Sequence, residues 1–185
     1  GPSRTGDGLY LAIRQAMEEA AVLAEDVSFM NTHGTATVYN DEMESKAIHL
    51  AGLETVPVHS LKSYFGHTLG ASGVIESIIC IHELKENVLF GTLGYEKPGV
   101  SMPILVQADH QEIPMKHCIK TASGFGGCNA VIVLTLPAYQ KQPSSVQSPV
   151  TVHTTATVSI ENSCLSMNGE TVFSSSASNF AQFIR

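Results

Sequence analysis

Leu9, Ala12, Ile13, Ala16, Met17 and Ala20 recur at three- and four-residue intervals along the first apolar stretch of the chain, the period of an amphipathic helix. Asp7 stands where it can cap that helix. After Glu25 and Asp26 the pattern changes: VSFMNT is short and rich in strand formers and breaks at HGTAT, so His33 is expected just beyond the C-terminal end of a strand. Asn40 or Asp41 can cap a second helix through DEMESKAIHLAG, in which Met43, Ala47, Ile48 and Ala51 share a face and Gly52 offers a stop. TVPVHSL reads as a second strand. After a polar loop, ASGVIESIICIHELKEN reads as a third helix, apolar around most of its circumference, which predicts burial between two layers. Gly70 and Gly73 allow close backbone approach at its start. Beyond Asn87, GTLGYEKPG is loop-like, and PILVQ, HCIKTA and AVIVLTL are strand candidates, the last two joined by SGFGGCN. Helix, strand, helix, strand, helix and three strands predict an α/β fold, a mixed sheet packed between helices.

At Pro137 the character shifts, because AYQKQPSSVQSP is rich in Pro, Ser and Gln. The expected organisation is therefore a domain over 1–137, a linker over 138–149 and a β-rich tail or the start of another domain over 150–185. In the tail, VTVHTTATVSI alternates, and Asn168–Gly169 is a hairpin-turn dipeptide between NSCLSM and ETVF.

With 185 residues, 43% of them hydrophobic and 15% charged, the chain can bury one sizeable core plus an appendage. A formal net charge of −7 without a Lys/Arg cluster argues against nucleic acid. Cys80, Cys118, Cys128 and Cys164 are widely spaced, with no C-x-x-C pair, and read as reduced thiols in a cytoplasmic protein. GVIESIICI, the most apolar run, is too short and too polar to span a bilayer. The opening GPSRTGDG has no methionine and reads as a cut end, so the chain is expected to be a piece of something longer.

Three polar, Gly-containing loops follow predicted strands: NTHGTATVYND, LKSYFGHTLGASG and SGFGGCN. In α/β sheets ligands bind in the crevice beyond the carboxyl ends of strands, where three such loops can converge. His33 can be a general base, a hydrogen-bond donor, a metal ligand, or a histidine that only satisfies loop backbone groups, and the same holds for His67. Two histidines on matching loops make a shared role more plausible, since neutral imidazoles can both donate to an oxygen gaining negative charge. Lys62 alone reads as a solvated lysine. Glu76, one turn into an apolar helix, needs a partner if buried, and Lys62 is the natural candidate. Zinc is a poor fit, because no ligand pair among His33, His67 and the cysteines has a usual metal spacing. GFGG lacks both the P-loop Lys-Ser/Thr and the full dinucleotide spacing. Its glycines can instead free the backbone N–H of Phe125 to point into a site.

Together these loops resemble the β-ketoacyl-[acyl-carrier-protein] synthases, the condensing enzymes of fatty acid and polyketide synthesis. NTHGTAT with the following ND and Glu44, SLKSYFGHTLGASGVIES and GFGGCNAVIVL match that family's motifs in order and spacing, over about Gly6 to Leu136. The resemblance implies a thiolase-like half-domain, part of an αβαβα core, corresponding to most of the family's C-terminal half. It also implies that His33 and His67 donate hydrogen bonds to a malonyl thioester oxygen, and that Lys62, paired with Glu76, organises His67. Thr35 and Thr37 would meet the phosphopantetheine arm of an acyl carrier protein, which serves as substrate carrier, with no cofactor bound directly. Phe125 would complete the oxyanion hole through its N–H and gate the acyl pocket, with Gly126 and Gly127 beside it.

The implied partners are a Cys-bearing N-terminal half, on the same or a separate chain, the acyl carrier protein, and malonyl and acyl thioesters; nucleic acid and membrane are not among them. The nucleophile's segment is absent from this sequence, so the chain alone is not expected to form an acyl-enzyme. A non-catalytic partner of the chain-length-factor kind is the alternative. The strand that precedes the first helix in the family's half-fold is also missing. The gap it leaves is expected to be filled by the upstream segment or, more boldly, by VTVHTTATVSI. Ala36 stands where the family more often has Gly or Ser, and the Tyr64–Phe65 rings are expected to narrow the substrate channel.

Overall fold

The computed structural model describes residues 3–140 and the backbone of three strands in the tail, 158–161, 164–167 and 170–174. Helix α1, Asp7–Ala20, buries Leu9, Ile13 and Ala16 as the periodicity predicts. Its N-cap is Gly6, at φ 82°, and not Asp7. Asp7 is the first helical residue, where its charge complements the helix dipole while Oδ2 accepts the Thr5 hydroxyl. Strand β1 is Val27–Asn31. Helix α2, Val38–Leu50, starts after Thr37 rather than at Asn40 or Asp41, because the Asn40 side chain is turned inward onto Glu44.

Of TVPVHSL only Val58–His59 forms a strand, β2. One helical turn, α3 (Lys62–Phe65), leads through a 3₁₀ turn to helix α4, Ser72–Glu86. Val88–Leu89 (β3) pairs antiparallel with Gln111–Glu112 (β4). PILVQ does not become a strand. It makes one isolated bridge, Val58 to Val106, since β2 offers it only the N–H and C=O of Val58. Strands β5, His117–Ser123, and β6, Asn129–Thr135, form a hairpin across the SGFGGCN loop.

The sheet runs β2-β1-β5-β6 before it reaches the tail, with the first three strands parallel and β6 antiparallel to β5. Both faces are covered, which is why these strands read as continuous apolar runs. Successive residues alternate between the layers. Met30, Ile119, Val131 and Val133 pack with α1 and α2 in one cluster, while Phe29, Cys118 and Leu134 pack with Cys80, Ile81 and Leu84 of α4 in the other.

No gap opens between β1 and β5. They pair directly through Phe29 with Cys118, Met30 with Ile119 and Asn31 with Lys120, after an irregularity at Val27 to Phe29, so the backbone that a gap would expose is satisfied. The tail therefore does not insert there. Val158–Glu161 (β7) joins the far side of β6, parallel, at Leu134, and Cys164–Met167 (β8) pairs antiparallel with Glu170–Ser174 (β9), Met167 opposite Glu170. Residues 141–157, most of the expected linker and the first part of VTVHTTATVSI, lie outside the described residues.

Candidate active site

His33 follows the C-terminal end of β1, and one carboxylate holds its loop. Glu44, projecting from α2 and 3% exposed, accepts the N–H of His33 at 2.9 Å and of Gly34 at 2.7 Å, the Asn40 amide at 2.8 Å and the Thr121 hydroxyl at 2.9 Å. Burial pushes this carboxyl above its ordinary pKa, and the Gly34, His33 and Thr121 donors together with the Lys120 charge act the other way. Gly34 sits at φ 44°, and a Cβ there would lie 2.6 Å from Ser60 Cβ. That close approach lets the Ser60 hydroxyl donate to Gly34 O at 2.7 Å, joining the His33 loop to the one after β2. Ala36 is also left-handed, at φ 58°.

Lys62, which in isolation reads as a surface lysine, is buried. Its Nζ lies 2.6 Å from Glu76 Oε1, and Lys120 Nζ from β5 lies 2.7 Å from Glu76 Oε2. Glu76 is fully buried on α4, so both of its oxygens carry a cation in place of water. Burial lowers the Lys62 pKa and Glu76 opposes that.

His67 is exposed beyond α3, and its Nδ1 accepts the Leu69 N–H at 3.1 Å, which leaves Nε2–H as its donor. The His33 and His67 rings meet edge to face, with centroids 5.1 Å apart. Burial first, then the Lys62 and Lys120 charges, lower the His33 pKa to about 4, so that its imidazole is neutral near pH 7. His33 Nδ1 is buried and has no hydrogen-bond partner among the described residues.

A cleft of about 540 Å³ opens beside these loops, lined on one side by Thr35, Lys62, Ser63 and His67 and on the other by Leu93, Tyr95 and Val100. Thr35 and Thr37 share a 2.8 Å hydroxyl hydrogen bond, but only Thr35 lines the cleft. Phe125 is fully exposed, and neither it nor Gly126 and Gly127, both at φ 83°, lines the cleft. The Tyr64 and Phe65 rings do not narrow it either. Tyr64 packs beside Phe90 and His110 and donates to Gly91 O at 2.8 Å, away from the cleft wall.

Sequence reasoning missed Lys120 and Thr121 as site residues. The available signal was a lysine inside HCIKTA, a strand expected to be buried on both faces, where an ammonium must have a partner. It also missed a second buried group: His59, Cys80 and Glu83 have ligand atoms within 4.8 Å of one another. Burial pushes the Glu83 carboxyl up to about 8, raises the Cys80 thiol and lowers His59 to about 3, so near pH 7 the trio is uncharged and a metal ion would first have to displace protons. Cys118 is buried beside Cys80, and Cys128 is exposed. Among the described residues no helix is long and apolar enough to cross a membrane.

The family model for the β-ketoacyl synthase C-terminal domain matches residues 1–96. The chain belongs to the β-ketoacyl synthase family, and it is a C-terminal half. It is 35% identical over 137 residues to 3-oxoacyl-[acyl-carrier-protein] synthase 2 of Vibrio harveyi, covering 71% of this chain and 33% of that one. With a putative polyketide β-ketoacyl synthase 1 of Streptomyces cyaneus it shares 34% over 144 residues, 75% of this chain and 34% of the relative. A solved type II polyketide ketosynthase, bound to the hexaketide and in complex with its acyl carrier protein, superimposes with a TM-score of 0.66 at 30% identity, over 71% of this chain and 33% of that one. The architecture is thus the thiolase-like fold of ketosynthases, and the chain spans about a third of the length of the curated relatives it matches.

Proposed function

We propose that the chain supplies the decarboxylating half of a condensing site, which joins an acyl thioester to malonyl-acyl carrier protein once a Cys-bearing N-terminal half completes it. The observation that carries this reading is the edge-to-face apposition of His33 and His67 beside the buried Lys62–Glu76 ion pair.

In the proposed reaction the malonyl thioester loses its carboxylate as carbon dioxide, and the electron pair of the broken C–C bond passes into an enolate. His67 Nε2–H and the His33 imidazole donate to the enolate oxygen, a developing charge that neutral donors in a partly dry site stabilise without being deprotonated. The carbanion carbon then attacks the acyl-enzyme carbonyl. A C–C bond forms, the C–S bond to the cysteine breaks, and the thiolate leaves. Lys62, locked on Glu76, fixes the turn that carries His67. Thr35, at the cleft wall, is suited to hydrogen-bond the amide-rich pantetheine arm. The backbone N–H of Phe125 would serve the acyl-enzyme oxyanion after the exposed GFGG loop is covered by the other half.

The test is carbon dioxide release from malonyl-acyl carrier protein by this chain, by this chain with its Cys-bearing half, and by that pair carrying His33→Ala or His67→Ala. Release from the pair is expected to fall at least about a hundredfold in either variant. A folded pair that releases none would instead make the chain a non-catalytic partner of the chain-length-factor kind.

A further inference from the structure

Lys120 sits between the two halves of the site. On β5 it is 2% exposed, and its ammonium touches Glu76 Oε2 at 2.7 Å and the carbonyl oxygen of its neighbour Thr121. The Thr121 hydroxyl in turn donates to Glu44 Oε1 at 2.9 Å and accepts the His33 N–H at 3.1 Å. Through one residue pair, β5 therefore reaches the carboxylate that holds the His33 loop and the carboxylate that holds Lys62.

We propose that Lys120 is a positioning residue serving both histidines, the shared counter-ion that balances Glu44 and Glu76 across the two loops. The inference rests on the reading that His33 and His67 act together. The charge arithmetic supports it. Ionised, Glu44 and Glu76 carry two negative charges, which Lys62 and Lys120 neutralise. Without Lys120 one buried carboxylate is in excess, and an uncompensated buried charge is relieved by taking up a proton or recruiting a cation. Two nearby imidazoles feel the Lys120 charge and can become cations, His59 and His33, and of the two His33 belongs to the proposed site. Facing it are Lys62 from α3, Lys120 from β5, His67 from the following loop and Glu76 from α4, with Glu44 of α2 on its backbone N–H and Asp41 of α2 beside Thr35 and Ala36. Removing a positive charge from that set favours imidazolium. A protonated His33 would meet the enolate as a charged acid rather than as a neutral donor, and the balance between the paired histidines would be lost.

The experiment is a pH titration of ¹⁵N-histidine-labelled chain by NMR, comparing the native protein with Lys120→Gln, Lys120→Met and Lys120→Arg. Lys120→Gln removes the charge but leaves an N–H donor, on a side chain one bond shorter, directed toward Glu76 and Thr121 O. The His33 midpoint is expected to rise by about one pH unit in both neutral variants and to stay near its native value in Lys120→Arg. A folded Lys120→Gln whose His33 titrates as in the native chain overturns the proposal. Should a neutral variant fail to fold at pH 7, it is expected to fold at pH 5, where a proton replaces the missing charge; unfolding at both pH values in both neutral variants overturns it equally. No thioester is present in this experiment, so its outcome is independent of the decarboxylation assay.

Discussion

Glu44 shows how one buried side chain can fix a loop. Its four donors come from the His33 and Gly34 backbone, α2 and β5, so the position of His33 depends on an acceptor-only group at this point. Glutamine has the same shape but turns an NH₂ toward one pair of those donors. Glu44→Gln is therefore expected to destabilise the chain by about 2 kcal/mol, from a buried N–H left facing another donor. Urea denaturation followed by circular dichroism measures it, and an unchanged midpoint would mean that the loop does not rely on this carboxylate. Ala36, two residues beyond Gly34, holds a left-handed conformation against the usual preference of alanine. The backbone around His33 is thus held in place by its partners and not by local propensity.

Between β2, α4 and β5 lie titratable groups whose effects on stability have opposite signs. His59 and His33 have folded pKa values of about 3 and about 4, below the ordinary 6.5. The folded state then binds fewer protons than the unfolded chain, so their contribution is complete above 6.5 and is lost as pH falls from there. Glu83 is raised to about 8 from 4.5, so its contribution is complete below 4.5 and is lost as pH rises toward 8. Among these three groups, the two histidines outweigh Glu83 from 4.5 to 6.5, and only Glu83 contributes above 6.5. Stability is expected to peak near pH 6.5, and Glu83→Gln is expected to abolish the decline between 6.5 and 8; superimposable profiles for variant and native chain would refute this. None of it follows from periodicity. The apolar runs of β1, β5 and β6 announced a sheet buried on both faces, and linked loop motifs placed His33, Lys62, His67 and Glu76 in one site. The buried charges inside strands were less legible, because Lys120 signals that it needs a partner without naming one, and only the register sets Lys120 and His59 beside Glu76 and Glu83. The caps of α1 and α2 failed because each helix begins before the expected capping residue: Asp7 already lies in the first turn behind Gly6, and Asn40, inside α2, gives its amide to Glu44 one turn on.

At the scale of the whole molecule, the unequal faces of α4 point to what completes it. Ser72, Glu76, Cys80, Glu83 and Leu84 are buried against the sheet, while Val74 is 64% exposed and Ile75, Ile78 and Ile79 are only partly covered. The composition of this helix predicts burial all round, and the described residues cover one side. Leu69, 76% exposed, and the fully exposed Phe125 add apolar surface from the loops that carry the proposed chemistry. Contiguous exposed apolar surface is characteristic of an interface. If a second α/β half completes the site as proposed above, the open face of α4 is where that half would dock. Two substitutions separate this assignment from a general loss of stability. Val74→Glu puts a charge on the open face without touching the core and is expected to leave the chain folded while weakening association at least about tenfold, as read by size-exclusion chromatography or calorimetry with the Cys-bearing half. Leu11→Glu, at an exposed position of α1 on the opposite side of the sheet, is expected to change neither. Cys128 gives an independent readout, because it is exposed on the same loop as Phe125. Its alkylation rate is expected to fall when the halves associate and to stay high with Val74→Glu. Association that proceeds equally well with glutamate at position 74 and leaves Cys128 open would place the interface elsewhere, and the condensing site would then have to be assembled by a different surface.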